Sequence, residues 1–168
     1  MQTTAQIRPA RPEDIPTLID MRERMLIELG SDDDARLSGL RDASRPWFER
    51  AFAEGRAMGW VAERGGVAVG GVTRTLNEGL PQSRSPNGRV ASLLALYVVP
   101  EERGAGLATR LVNEGIAAAR AWDADLVTLH AADKARPIYE RLGFVRTKEM
   151  RLQFSEIDAG LSRGGCGV

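Results

Sequence analysis

The chain has 168 residues, of which 43% are hydrophobic and 27% charged, values that fit one globular domain and exclude a disordered or fibrous chain. Lysine plus arginine and aspartate plus glutamate each number 23, so the formal net charge is zero, which argues against the broad basic surface that binds nucleic acid. The single cysteine, Cys166, excludes an intramolecular disulfide and a thiolate metal cluster, and no run approaches the ~20 apolar residues of a membrane span, so we expect a cytoplasmic protein without a metal.

The first half of the chain combines two helical patterns with a hairpin. Apolar residues from Ile15 to Leu29 recur at the helical period, and Gly30 provides a stop. Tight-turn residues at 64–66 join two short apolar runs. The predicted elements are a strand near 7–9, a helix over 12–29, a polar linker at 31–34, a second helix that begins at the cap Ser44-Arg45-Pro46 and ends at Gly55, and strands at 58–62 and 67–72.

The second half alternates strands and helices, which predicts an α/β domain with a mixed sheet and helices on both faces. The segment between Leu76 and Arg89 is rich in turn residues and too long for a minimal hairpin. Residues after Ser155 lose periodicity, so we expect one domain over 1–168 with a core at about 5–154 and a flexible tail at 155–168. The predicted elements are strand 90–99, helix 106–122, strand 126–129, helix 135–142, and a final strand pair near 144–146 and 150–154.

The segment 96–111 is an apolar strand that runs into a glycine-rich turn and then an amphipathic helix. Such a junction directs unpaired backbone N–H groups and the positive end of the helix dipole at one point, which favours a pyrophosphate. Gly104 and Gly106 would let a ligand approach the backbone closely. No Gly-Lys-Ser/Thr follows and no Gly-x-Gly-x-x-Gly runs through the turn, which argues against a Walker loop and a dinucleotide fold.

Two motifs together resemble the GNAT superfamily of N-acetyltransferases. Arg103-x-x-Gly106-x-Ala108, after a strand that ends in Val98-Val99-Pro100, is similar to its acyl-CoA signature. The segment 135–144, with Tyr139 before Gly143-Phe144, looks like its second signature. The resemblance covers about residues 5–154. It implies an α/β (α+β) fold whose mixed, mostly antiparallel sheet of six to seven strands is flanked by about four helices and splayed at its two parallel central strands.

The same resemblance implies which residues would hold acetyl-CoA. Backbone groups of residues 96–98 would pair with the pantetheine arm at a strand edge opened by the splay, and residues 104–109 would wrap the pyrophosphate. The backbone N–H of Val98 or Val99 would polarise the thioester carbonyl. The cofactor-binding residues implied are Leu96, Tyr97, Val98, Arg103, Gly104, Ala105, Gly106, Leu107, Ala108 and Thr109.

Tyr139 is the expected catalytic residue, as the acid that protonates the departing thiolate, and the alternative is a core aromatic with a satisfied hydroxyl. The family often carries a glutamate base on the strand before the loop, but residues 92–96 contain no carboxylate. A water chain or an already neutral amine is then expected, with Glu63 and Glu78 as substitutes. His130 could orient the acceptor or be structural.

The sequence departs from the family pattern at one more position. The family often has an asparagine seven residues before the tyrosine, where this chain has Ala132. Asp133 beside it is predicted to cap the short helix instead.

Taken together, the motifs predict an enzyme that transfers an acetyl group from acetyl-CoA to a primary amine by direct attack in a ternary complex. The acceptor would be a small molecule or a protein amine, and the first two helices and the 76–89 loop would line its pocket. The alternative is a non-catalytic acyl-CoA-binding or regulatory module. We expect no nucleic-acid or membrane partner, and a homodimer is a reasonable expectation for a small enzyme.

Overall fold

The computed structural model describes residues 4–31, 33–150 and 152. Short 3₁₀ turns at Pro12–Asp14 and Pro100–Glu102 precede α1 and the glycine-rich loop. The strands are β1 Gln6–Pro9, β2 Ala57–Arg64, β3 Val67–Glu78, β4 Arg89–Val98 and β5 Leu126–Leu129, and the helices are α1 Ile15–Glu28, α2 Asp34–Ala53, α3 Leu107–Ala121 and α4 Arg136–Arg141.

The strands form one sheet in the order β1-β2-β3-β4-β5, antiparallel except for the parallel pair β4 and β5. The prediction of six to seven strands is wrong for the described residues, which contain five, so β5 lies at an edge and is not central. Within the described part of the chain, residues 144–150 join no strand, and Val145 (82% exposed) and Met150 (95% exposed) are not buried there. Arg151 and residues 153–168, which include most of the predicted strand 150–154 and the predicted tail, lie outside the described part.

Three hydrophobic clusters hold the helices to the sheet. On one face, α1 and α2 pack on β2 through Ile15, Leu18 and Phe48. On the other face, α3 packs on β3 and β4 through Leu107 and Leu111. The third cluster joins α4 to the side of α3 and contains Leu93, Val112 and Tyr139. Among the described helices, none is long and apolar enough to cross a bilayer.

The second helix begins at Asp34, well before the predicted cap Ser44. Asp33 is its N-cap and accepts a hydrogen bond from the N–H of Arg36 at 2.9 Å. Ser44 does not cap a helix, because its hydroxyl donates to the carbonyl of Leu40 at 2.6 Å, one turn back in the same helix. Pro46 therefore lies inside α2, although proline is expected to start a helix.

A bulge in β4 separates its two halves. Gly71 pairs with Tyr97 and Thr73 with Leu94, so β4 has one residue more than β3 in this interval. Ala95 takes up the extra residue with a φ of +53°. The pairing between β4 and β5 ends at Leu93 and Leu129, where β5 itself ends, and this point is called the divergence of β4 and β5.

Candidate active site

Beyond the bulge, no described strand pairs with the side of β4 that faces β5, and we call this side the open edge of β4. Antiparallel strands alternate between residues that exchange hydrogen bonds with the partner and residues whose backbone groups point away from it. The N–H of Val99 donates to the carbonyl of Val69 in β3 at 3.0 Å, so Tyr97 also directs its backbone groups at β3. The N–H and carbonyl of Val98 point to the opposite side, where β5 has diverged.

This register corrects part of the predicted site. The N–H of Val99 is already bonded, so it is not available to polarise a carbonyl, and Val98 is left as the donor. The backbone of Tyr97 is likewise directed at β3, while its buried side chain faces α1. Leu96, which follows the bulge, is half-buried between the α3 core and the cluster around Tyr139.

The loop after β4 forms a cradle with exposed backbone. Gly104 and Gly106 have φ values of +82° and +76°, and a Cβ atom added to either would meet no atom within 4 Å. Both positions therefore favour glycine and leave open space in front of the backbone. Gly106 is the N-cap of α3 and no side chain among the described residues caps this helix, so the first-turn N–H groups remain available to an anion. The residues present fit a pyrophosphate.

The remaining residues of the predicted cradle divide into anchors and surface positions. Leu107 is buried in the core beneath the first turn of α3, which fixes the helix N-terminus on the sheet. Ala108 and Thr109 are half-buried, and Ala105 is exposed. Their backbone N–H groups and not their side chains are suited to contact a ligand, because small side chains leave the backbone accessible.

The side chain of Arg103 does not extend toward this cradle. Its Nη2 atom contacts both carboxylate oxygens of Glu28 at 2.8 and 2.9 Å, and its Nε donates to the carbonyl of Val98 at 2.8 Å. The guanidinium also lies 5.5 Å from the ring centroid of Tyr97, whose hydroxyl donates to Glu28 at 2.9 Å. Arg103, which the sequence analysis assigns to the cofactor, thus joins α1 to the end of β4.

Sequence reasoning missed Glu28, although one local signal was present. Glu28 is the last residue of α1, where the negative end of the helix dipole disfavours a carboxylate. The hydrogen bond from Tyr97 and the contacts with Arg103 outweigh partial burial and lower the pKa of Glu28. Burial and the same hydrogen bond raise the pKa of Tyr97, so the pair holds its proton on the tyrosine.

A second ion pair holds the other side of the turn that precedes the cradle. Arg64 at the end of β2 donates from Nη2 to Glu102 at 2.7 Å. The side chain of Glu102 is only 16% exposed. The adjacent residues Glu102 and Arg103 therefore form ion pairs with two different elements, β2 and α1. These ion pairs restrict the conformation of the loop in the absence of a ligand.

Tyr139 lies beside the point where the strands diverge. It is 8% exposed and packs with Leu93, Val112 and Leu96, and two of these, Leu93 and Leu96, flank the bulge. Burial raises the pKa of Tyr139, which keeps its hydroxyl protonated at neutral pH. The residue therefore combines a core ring with a phenol that is protonated, as a proton donor must be.

The carboxylates proposed as bases lie elsewhere. Glu63 is bound to Arg8 at 2.5 Å on the β1 side of the sheet. Glu78 is exposed at the far end of β3, 3.6 Å from Arg89. His130 directly follows β5 and is exposed.

The predicted cap of α4 is wrong. Ala135 is the N-cap of this helix, and no side chain in the described part of the chain caps it. Asp133, 88% exposed at its side chain, instead contacts the guanidinium of Arg136. The chain thus has a short backbone turn where the family often has its asparagine, with Ala135 and Arg136 both donating to the carbonyl of Ala132.

The loop between β3 and β4 is held at the other end of the sheet. Asp125, just before β5, accepts hydrogen bonds from the hydroxyl of Ser85 at 2.8 Å and from the N–H groups of Asn87 and Arg89 at 3.0 and 3.1 Å. These contacts lie at the N-terminal ends of β4 and β5, whereas the glycine cradle follows the C-terminal end of β4. The predicted lining of an acceptor pocket by this loop finds no support in that arrangement.

The face of the sheet opposite α3 carries polar side chains beside the divergence. Leu93 packs against Gly115 of α3, so Ser92 points to the other face. Its hydroxyl lies 2.9 Å from that of Thr128 in β5 and 3.4 Å from the amide nitrogen of Asn77 in β3. A row of neutral hydrogen-bonding groups therefore crosses three strands. No cluster of histidine, cysteine, aspartate or glutamate suited to a metal occurs among the described residues.

Proteins of known structure share this fold. The GCN5-related N-acetyltransferase from Ralstonia eutropha JMP134 is 30% identical, with 89% of this chain and 97% of that chain covered and a TM-score of 0.83. A predicted acetyltransferase with acetyl-CoA from Clostridium acetobutylicum is 24% identical, with 90% and 97% covered and a TM-score of 0.82, a likeness of fold.

A curated relative is the mycothiol acetyltransferase of Thermobispora bispora, which is 33% identical over 109 residues. This alignment covers 63% of the present chain and 34% of that protein, so the chain matches about a third of its length. The model of the acetyltransferase (GNAT) family matches residues 20–144. Since this match spans well over half of the chain, the protein belongs to the acetyltransferase (GNAT) family.

Proposed function

We propose that the protein transfers an acetyl group from acetyl-CoA to a primary amine by direct attack in a ternary complex. The single observation that carries this proposal is the open edge of β4 at Val98, which leads into a glycine cradle at an uncapped helix N-terminus. An extended chain of amides ending in a pyrophosphate matches both parts of this surface.

In this proposal each part of the surface has one task. Val98 offers its N–H to a pantetheine carbonyl or to the thioester oxygen, while its own carbonyl accepts from Nε of Arg103. The N–H groups of residues 104–109 bind the pyrophosphate. Acetyl-CoA, when bound, supplies the activated acyl group, and the chain orients it and excludes water from the divergence of β4 and β5.

Tyr139 is the proposed proton donor to the departing sulfur. Its burial between Leu93 and Val112 positions the ring rigidly, and its raised pKa keeps the proton on the phenol until it is needed. Because Glu63 and Glu78 are bound or distant, we propose that the amine enters neutral or loses its proton to water.

The acceptor is proposed to approach from the sheet face that carries α1. The row of Ser92, Thr128 and Asn77 lies directly beneath the divergence on that face, and its groups are neutral donors and acceptors. This favours an acceptor with several hydrogen-bonding groups, whether a small amine or the end of a peptide. The acceptor of the mycothiol acetyltransferase relative is one candidate to include, although that likeness covers only part of the relative.

The test has two measurements on the same protein. Calorimetric titration with acetyl-CoA measures binding, and release of free CoA thiol with a panel of amines measures transfer. Binding together with amine-dependent thiol release supports the proposal. Binding without release for any amine would favour a non-catalytic acyl-CoA module, and no binding would overturn both.

A further inference from the structure

Arg103, the cation beside the glycine loop, already forms an ion pair with Glu28. Arg103 is the arginine of the acyl-CoA motif, and a phosphate ligand is the simplest role for such a residue. Its Nε and Nη2 atoms are nevertheless bonded within the protein, to the carbonyl of Val98 and to Glu28, and its plane covers the ring of Tyr97. Glu28 comes from α1, 75 residues earlier in the chain.

We propose that Glu28 is a positioning residue for acetyl-CoA binding, which holds Arg103 against the Val98 carbonyl so that the backbone of the loop, and not the arginine, binds the pyrophosphate. This inference rests on the proposed function. Arg103 becomes a positioning residue as well. Its bond to Val98 fixes the residue whose backbone groups face the open edge of β4, and the loop begins from that fixed point.

The geometry supports positioning over direct contact. Charge-assisted hydrogen bonds to both oxygens of a carboxylate hold a guanidinium in one orientation. Tyr97 adds a third constraint, because its hydroxyl donates to the same carboxylate while its ring supports the guanidinium. To direct Nη2 at a phosphate, Arg103 would have to break its contacts with Glu28 and expose that carboxylate to an anion.

Two models of Arg103 predict opposite signs for one substitution. Glu28 is a negative charge near the proposed site of a polyanion, so if Arg103 is a direct ligand, neutralising Glu28 releases the arginine and strengthens binding. If Glu28 positions the loop, the same change removes the constraint and weakens binding. The direction of the change in affinity therefore decides between the models.

The experiment measures the dissociation constant for acetyl-CoA in the full chain by calorimetric titration. Glu28→Gln should raise it about 10-fold, the size expected for a lost charge-assisted hydrogen bond, with turnover at saturating acetyl-CoA little changed. Tyr97→Phe should act in the same direction by a smaller factor. Glu23→Gln is the matched control, because it removes an ion pair between α1 and Arg41 of α2, away from the loop, and should leave the constant unchanged.

A double-mutant cycle separates positioning from general loss of structure. In the positioning model Arg103→Gln alone and Glu28→Gln with Arg103→Gln should have equal dissociation constants, because the two residues act as one unit. Binding by Glu28→Gln that is as tight as in wild type would overturn the inference, and tighter binding would in addition make Arg103 a direct ligand. Failure of the wild type itself to bind acetyl-CoA would instead overturn the proposed function.

Discussion

The ring of Tyr139 packs edge-to-face against the ring of Phe144, with their centroids 5.8 Å apart and their planes at 73°. Phe144 lies just beyond α4, where Gly143 lets the chain turn back, and its N–H donates to the carbonyl of Tyr139 at 3.0 Å. The motif Tyr-x-x-x-Gly-Phe therefore describes a contact that holds the phenol in place. Removing only the hydroxyl should leave this contact intact.

Tyr139→Phe should reduce turnover by about 10²-fold with little change in acetyl-CoA affinity, because protonation of the leaving sulfur matters mainly in the transition state. Steady-state kinetics and calorimetric titration measure the two quantities. The wild-type rate should also fall at high pH as Tyr139 deprotonates, above the usual value of 10.0, and the variant should lack this limb. Turnover equal to wild type in Tyr139→Phe would make the residue a core aromatic.

Gly106→Val should raise the dissociation constant for acetyl-CoA at least about 10-fold, a loss near 1.4 kcal/mol. The side chain would fill the open space in front of the backbone where the pyrophosphate is proposed to bind. Valine is also strained at a φ of +76°, so Gly55→Val serves as the control. Gly55 has a φ of +68° and equal open space but lies at the end of α2. Equal affinities for both variants and wild type would exclude this loop as the cradle.

Asp125→Ala should destabilise the protein without weakening acetyl-CoA binding. The carboxylate holds the loop between β3 and β4 through Ser85, Asn87 and Arg89, and its loss would leave the buried Ser85 hydroxyl without that acceptor. We expect the melting temperature to fall by about 5 °C. Calorimetric titration at a temperature where the variant is folded should give a wild-type constant, and a clear rise would connect this loop to the cofactor site.

Arg74→Met should leave the melting temperature unchanged or raise it, with a gain of up to about 2 kcal/mol. Arg74 is 5% exposed on β3, and its Nε has no hydrogen-bond partner in the described part of the chain. Burial lowers the pKa of Arg74, which is the signature of a poorly compensated buried cation. Thermal unfolding measures the effect, with Val72→Ala as a control that should destabilise the same strand by opening a cavity. A large loss of stability in Arg74→Met would contradict this prediction, because it would mean that the guanidinium makes a stabilising contact in the folded protein.

The local signals in the sequence determined much of the outline. Gly104, Gly106 and the apolar run before them predicted a strand, a loop and a helix start, because glycine at positive φ and helical periodicity are properties of short segments. The bounds of β5 at Leu126–Leu129 were predicted correctly because a short, mostly apolar run is also a property of a local segment. The two motifs around Arg103 and Tyr139 predicted the family, which is confirmed.

Only the tertiary structure decided which of these segments contact one another. The bond of Glu28 to Arg103, the anchoring of Ser85 by Asp125 and the direction of the Val98 backbone all depend on which distant strands and helices become neighbours. The start of α2 at Asp34 and the number of described strands, five, also depended on tertiary contacts. The groups that could form a helix cap or a strand pairing can bind other partners elsewhere in the fold instead. A sequence pattern records the preference of each segment, but hydrogen bonds between residues 75 apart in the chain exist only once packing has brought their elements together.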